Sequence, residues 1–301
     1  MVVPYPSGWF YVANTSTLPC GTVATVRFFG RDLLVLRTEG GRLAAIWSVC
    51  SHPESARVTG EELACAACTR SWDPVGPHAV PVAECHELML AYFHPAGNAP
   101  EWHVSPFDMA GWSPFTLCAR DYRTWPHVVM RDLADPRHFE TVHGFDSLRL
   151  VRPFSGDGPR AHMEMSFNRR LAATRGWVKV SGTLTSSVYG LGVQDTVVRS
   201  LSGALLTRHL VMPTPVDDTA TRVTLASSVR LHLGSEVPAA PLRLVGRALV
   251  PLVHRELIHD IDRDARAWES SGPDDVALVL EDSHLAAFRR WKAQFYPAAS
   301  T

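Results

Sequence analysis

The sequence predicts an α+β fold in two domains, an antiparallel β domain over residues 1–112 and a second, larger domain over 113–301. Short apolar runs separated by glycines fill the front of the chain. Longer alternating runs fill the stretch from about Leu148 to Leu233, and one long helical pattern follows them. A chain of 301 residues can bury two cores.

In order, GWFYVAN, TVATVRFFG, DLLVLRT and RLAAIWSV read as strands, with Gly21, Gly30 and Gly40-Gly41 as turn signals. Next come Cys50-x-His52 and, after a spacer of twelve residues, Cys65-x2-Cys68. Two such pairs on two loops make a four-ligand cage suited to zinc or to an iron–sulfur cluster. Cys20, Cys85 and Cys118 have no comparable partners and read as core or surface thiols. ELMLAYFHPAGNAPEWHV continues the first domain as strand and turn. His78, His86, His94 and His103 there carry no ligand spacing, and Gly111–Pro114 marks the expected boundary.

The segment Asp135-Pro136-Arg137-His138-Phe139-Glu140-Thr141-Val142-His143 reads D-x2-H-x4-H. Neutral imidazoles are common ligands for iron and zinc. An unbroken helix would set positions i and i+5 about 140° apart, so the helix must end or distort between the histidines. Asp135 also suits a helix N-cap, with Pro136 behind it. GWVKVSGTLTSSVYG, ALLTRHLVMPTPVDD and ATRVTLASSVRLHLG alternate as strands. In the long helix, Val250, Val253, Leu257, Ile261 and Trp268 form an apolar stripe, and Pro251 is expected to kink it. Asp264 falls on that stripe with Asp260 beside it, an odd place for carboxylates unless they are paired or bind metal.

These motifs resemble the Rieske-type non-haem iron oxygenases. The family's G-x-x-x-A-x-x-x-x-C-P-H and C-P-x-H-G-W-x-Y/F-D-x-x-G are matched by GGRLAAIWSVCSH and CAACTRSWDPVG, through Trp72, Asp73 and Gly76. Met212–Asp217 resembles the family's T-P-I/V-D turn. The tail RRWKAQFY resembles its ketosteroid-hydroxylase and sterol-desaturase branch. The resemblance implies a Rieske-like first domain and a helix-grip (START-like) catalytic domain. It implies a [2Fe–2S] cluster on Cys50, His52, Cys65 and Cys68. It also implies mononuclear Fe(II) on His138, His143 and Asp264, with Asp260 and Asp262 as the other carboxylates in reach, and Asp135 bridging to a neighbouring subunit's cluster in a homotrimer. Dioxygen, a small apolar substrate (polycyclic by the branch the tail resembles) and a flavin or ferredoxin reductase complete the implied system, with hydroxylation, desaturation or oxidative ring closure as outcomes.

The departures bear on the cluster. Cys68 stands where the family has its second histidine, Thr69-Arg70 replaces Gly-Trp, and Pro53-Glu54-Ser55 follows the first histidine. A Cys3His site carries one more negative charge than a two-histidine site, so its potential should fall, and it could hold zinc instead. A bound thiolate also cannot donate the hydrogen bond that the family's histidine gives the bridging aspartate. Upstream, Arg131-Asp132 replaces an acidic-amide pair. Two further readings stay open: a metalloenzyme with structural zinc and no external electrons, and a carrier of apolar ligands. Colour separates the zinc reading from the cluster reading, since a cluster is brown and a zinc protein colourless.

Composition excludes other classes. The chain is 46% hydrophobic and 20% charged with a formal net charge of −1, so no overall field attracts nucleic acid or an anionic membrane. No apolar run reaches the roughly 18 residues of a membrane span. The first residues lack the pattern of a signal peptide, and a cytoplasmic protein is expected.

Overall fold

The computed structural model describes residues 5–48, 50–232, 239–270 and 283–297. Val49 and Leu233, which fall at the ends of sequence runs read above, lie outside the described residues. The chain divides into two compact units. The first holds Met1–Phe107, Thr214–Ala220 and Phe295–Thr301, and the second Asp108–Pro213 and Thr221–Gln294.

The first unit is built from short antiparallel strands: β1 (Gly8–Asn14), β2 (Thr22–Phe28), β3 (Arg31–Arg37), β4 (Leu43–Trp47), β5 (Ala56–Thr59), β6 (Glu62–Cys65), β7 (Ser71–Trp72), β8 (Ala79–Val80), β9 (Val82–Cys85) and β10 (Leu88–Phe93). They form three sheets, ordered β2-β3-β4-β8, β1-β10-β9 and β5-β6-β7. Strand β3 is buried on both faces across Leu33–Leu36, so its run is continuously apolar rather than alternating. One side of it meets Phe10, Phe28, Phe29 and Met89. The other side meets Ile46, Leu63, Cys65 and Trp72, which seats the second cysteine pair on the core. The Met212–Asp217 stretch runs from the end of a strand into a turn. There Asp217 Oδ1 accepts from the amides of Thr219 and Ala220, at 2.8 and 2.9 Å.

The second unit contains one seven-stranded sheet, ordered β11-β17-β16-β15-β14-β13-β12. Its strands are β11 (Thr116–Tyr122), β12 (Phe145–Asp157), β13 (Arg160–Arg170), β14 (Lys179–Tyr189), β15 (Val193–Ser200), β16 (Leu205–Pro215) and β17 (Thr221–Leu231). Two short helices, α1 (Pro126–Arg131) and α2 (Pro136–Thr141), fall between β11 and β12. The 32-residue helix α3 (Ala239–Ser270) contains Pro251 within its span. Val250, Ile261 and Trp268 of the expected stripe are buried, while Val253 and Leu257 are half-buried. Ile261, Ala265 and Trp268 pack on Val211, Val223 and Leu225 of β16 and β17, which is how the helix covers the sheet.

The tail motif has a structural reason. In α4 (Ser283–Ala293), Trp291 donates its indole N–H to the carbonyls of Gly158 and Arg160, at 2.9 and 3.1 Å, and packs on Phe154 and Phe288. A β-carbon at Gly156 would lie 2.0 Å from Trp291 Cδ1, so only glycine lets the ring close onto the β12–β13 hairpin.

Candidate metal centre

Helix α2 ends where the D-x2-H-x4-H spacing requires. Asp135 caps it, Oδ1 accepting from the Arg137 amide at 3.0 Å, and Val142 closes it by donating to the His138 carbonyl. Gly144 follows at φ +66°, which turns the chain into β12. His143 therefore leaves the helix and swings back toward His138. From α3, Arg263 donates to the Val142 carbonyl at 3.0 Å, tying the two segments together.

His138 Nε2 and His143 Nε2 stand 2.9 Å apart, and Asp264 Oδ1 lies 3.0 Å from the first and 3.2 Å from the second. Ligands at right angles on bonds of about 2.1 Å are separated by about 3.0 Å, against about 3.4 Å in a tetrahedron. The three atoms thus have the spacing of one triangular face of an octahedral ion, the two-histidine, one-carboxylate arrangement that suits ferrous iron. Asp264 Oδ1 is buried and makes no well-aligned hydrogen bond at these distances, so it is free to face the point it shares with the two ring nitrogens. Burial alone would lower the His143 pKa, but Asp260 and Asp264 raise it to about 9.

Behind the triad sits a carboxylate layer. His143 Nδ1 lies 3.3 Å from Asp260 Oδ1, which directs Nε2 toward the common point. Arg169 of β13 donates to both oxygens of Asp260, at 2.8 and 2.9 Å, and to Glu256 at 2.7 Å. Burial would raise the Asp260 carboxyl, but the bonds from His143 and Arg169 hold it far below the usual range. Asp132 accepts the Trp268 indole N–H at 2.6 Å and pairs with Arg131 at 3.2 Å, so the two charges of the Arg131-Asp132 pair meet each other beside the site. Burial pushes the Asp132 carboxyl upward even so. Asp262 points elsewhere, to an exposed pair with Arg120. The sequence reading missed Arg169 and Glu256. An arginine inside an alternating strand is the one signal that could have found them. Replacing Arg169 by Met leaves two buried carboxylates without their counter-ion and is expected to cost about 3–5 kcal/mol in urea unfolding. A loss below about 1 kcal/mol contradicts this role.

The triad opens on a cavity of about 330 Å³, within the range of small-molecule sites. Phe145, Phe167, Val180, Leu184, Val198, Val211, Leu257 and Ile261 make most of its wall apolar. One row is polar. Ser186, Thr196 and His209 are direct cross-strand partners on β14, β15 and β16. Ser186 Oγ lies 2.7 Å from Thr196 Oγ1. His209 meets Thr207 Oγ1 at 2.9 Å and Ser227 Oγ at 3.2 Å, and Ser227 meets His254 at 3.0 Å. Burial lowers the His209 pKa to about 4, so the row is neutral.

The first unit holds the other ligand group. The ligand atoms of Cys50, His52, Cys65 and Cys68 all lie within 4.8 Å of one another. Cys65 ends β6 with its N–H on the Arg70 carbonyl, and Thr69, at φ +57°, donates back to Cys65. That turn aims Cys68 at its partner. The Ala66 amide bonds Ser55, and Ser55 bonds His52, which joins the two loops. His52 Nδ1 is buried with no partner, leaving that nitrogen for the cage. Among the described residues, no other His, Cys, Asp or Glu group converges in this way.

Comparison with known proteins follows the same division. Residues 8–77 match the Rieske [2Fe-2S] domain, and residues 91–296 match the 3-ketosteroid 9alpha-hydroxylase C-terminal domain. A cholesterol 7-desaturase (nvd 2) of Ciona intestinalis is 31% identical over 97% of this chain and 72% of its own length. A second one (nvd 1) from the same organism is 22% identical over 97% and 69%. Among solved structures, a Pseudomonas putida CBB5 NdmA QL mutant with caffeine superposes with a TM-score of 0.66 at 13% identity, covering 98% of this chain and 89% of that one. Dicamba monooxygenase bound to dicamba gives 0.63 at 15% identity, covering 95% of each. The solved structures establish the fold. The match to the Rieske domain favours an iron–sulfur cluster over structural zinc.

Proposed function

The chain belongs to the Rieske-type non-haem iron oxygenases, and from that membership we propose which residues run its chemistry and on what class of molecule. His138, His143 and Asp264 hold the mononuclear iron. Cys50, His52, Cys65 and Cys68 hold the [2Fe–2S] cluster. Along the sequence we place the domains at 1–112 and 113–301, with Thr214–Ala220 and Phe295–Thr301 returning to the first compact unit. The observation that carries this reading is the donor triangle of 2.9, 3.0 and 3.2 Å at the wall of an apolar cavity.

Bound there, ferrous iron supplies dioxygen activation beside a substrate, with electrons arriving from the cluster. The chain's own residues do the rest. Asp260, clamped by Arg169, keeps His143 in the ligating orientation. Phe139, Phe145 and Phe167 pack edge-to-face and tilted against one another and line the cavity with apolar rings that exclude water. The substrate is a rigid, apolar, polycyclic molecule of the sterol kind, which the chain hydroxylates, desaturates or oxidatively cyclises. We assign to Asp135 the bridge to a neighbouring subunit's cluster in a cytoplasmic homotrimer served by a flavin or ferredoxin reductase.

The test is oxygen consumption with NADH and a reductase over a panel of sterols and ketosteroids, with product analysis. Reductase-dependent turnover of a polycyclic substrate is expected. Iron-replete protein inert toward the whole panel with every donor contradicts the reading. The polar row gives a finer prediction. Thr207→Val keeps the shape but removes a hydroxyl that His209 orients. KM for a ring substrate bearing a hydroxyl or ketone is expected to rise about tenfold. An analogue without that oxygen should be unaffected.

A further inference from the structure

The net charge of −1 hides a segregated surface. No acidic residue occurs from Arg169 to Gln194, from Thr196 to Val216, or from Val237 to Arg255. These stretches meet at one end of the seven-stranded sheet. Gly182 near the start of β14 pairs with Ser200 at the end of β15, and the Leu201 amide bonds the Ser181 carbonyl. The His232 amide, just after β17, bonds the Ala204 carbonyl just before β16, and α3 follows in the chain.

That end is the mouth of the cavity. Val178 and Leu252 line the cavity and are also 45% and 40% exposed, which places them on its rim. Beside them, Trp177 is 87% exposed and Leu201 77%. The first turns of α3 add an outward apolar stripe. Leu244, Val245, Ala248 and Leu252 recur at helical spacing and are all exposed, Leu244 by 69% and Val245 by 51%. Exposed cations surround this rim: Arg170, Arg175, Lys179, Arg199, Arg243 and Arg247. None of them forms an ion pair among the described residues. A helix with an outward apolar stripe flanked by arginines, next to an exposed tryptophan, has the pattern of an element that lies in a lipid interface.

We propose that this rim docks on an anionic membrane surface, so that an apolar substrate passes from the bilayer into the cavity without crossing water. The inference rests on the reading of the cavity as an apolar-substrate site. Charge complementarity selects the occupant. Unpaired cations around apolar side chains match an anionic lipid headgroup layer above acyl chains, each basic group adding attraction that salt screens. No helix of the described residues is long and apolar enough to cross a membrane, so the contact is a surface one.

The experiment is flotation of the full chain with vesicles of phosphatidylcholine, alone or with phosphatidylserine. Strong binding to the anionic vesicles at low salt is expected, weakening as salt rises, with little on phosphatidylcholine alone. The double variant Arg243→Glu/Arg247→Glu should lower binding by at least about tenfold. Trp177→Ser/Leu244→Ser should lower it at every salt concentration. Circular dichroism and bound iron establish that each variant is folded.

Absence of flotation by folded protein, or flotation unchanged in both variants, overturns the proposal. So does a change of oligomeric mass in Trp177→Ser/Leu244→Ser, which assigns the rim to a second copy of the chain. Loss of reductase coupling in the arginine variant without vesicle binding assigns it to an acidic protein and overturns it equally. Flotation is read without turnover. Vesicle binding by a protein inert toward sterols removes the substrate reading alone, and sterol turnover without vesicle binding removes the docking alone.

Discussion

Asp264→Ala is expected to purify with its iron–sulfur signal intact, its mononuclear iron lost and its turnover lowered about a thousandfold or more. The magnitude follows from the several kcal/mol that a bound ion contributes to a transition state. The reason lies in the geometry. Among the described residues, Asp264 Oδ1 is the single carboxylate oxygen within 3.2 Å of both ring nitrogens, and it is buried without another donor. Its neighbours serve as controls. Asp262 is about half exposed and pairs with Arg120, so Asp262→Ala should leave iron and turnover nearly unchanged. Asp260 stands 3.3 Å behind His143 Nδ1, so Asp260→Ala should weaken iron binding about 10- to 100-fold, as loss of an outer-shell partner of a metal-binding histidine does. Iron analysis with turnover under saturating reductase reads all three. Full iron retention in Asp264→Ala contradicts the assignment.

Cys68→His is expected to raise the cluster potential on the order of 100 mV or more and to move its EPR signal toward that of two-histidine centres. Replacing thiolates by neutral imidazoles on one iron separates potentials near −400 mV from those of about −150 to +300 mV. The substitution removes one negative charge and creates an N–H able to donate to a carboxylate. Cys68 is half-buried beside Cys65 on a turn held by two backbone hydrogen bonds, so the ring can be accommodated. If the protein as it stands is limited by electron entry, Cys68→His should also speed reduction of the mononuclear site. A redox titration followed by EPR makes the measurement. An unchanged potential shows that Cys68 is not a cluster ligand.

The two converging donor groups were legible because metal chemistry restricts residue types and spacing. A C-x-H and C-x2-C pair, and two histidines in a D-x2-H-x4-H stretch, stand out against any background. Asp264 was legible because a carboxylate on a buried helical stripe needs a reason. The helix stop between the histidines was implied by the spacing itself, and Val142 and Gly144 supply it.

The layer behind the triad was not legible. Arg169 meets Asp260 and Glu256 across more than eighty positions of sequence, and although its inward parity after Met165 and Phe167 marks a buried charge, alternation does not say which carboxylates meet it. The polar row was hidden likewise. Ser186, Thr196 and His209 sit on three strands and become neighbours only through register, which side-chain period alone leaves open. The basic rim was masked by an overall charge near zero, because composition averages over faces that the fold separates.

Metal and acid-labile sulfide analysis of anaerobically purified protein, with EPR of the reduced and oxidised states, tests the central claim most directly. The account predicts iron in the ratio of one [2Fe–2S] cluster plus one separate ion per chain, the separate ion disappearing in Asp264→Ala while the sulfide stays. Zinc in place of iron and sulfide, or a separate iron that survives both Asp264→Ala and His143→Ala, would contradict it.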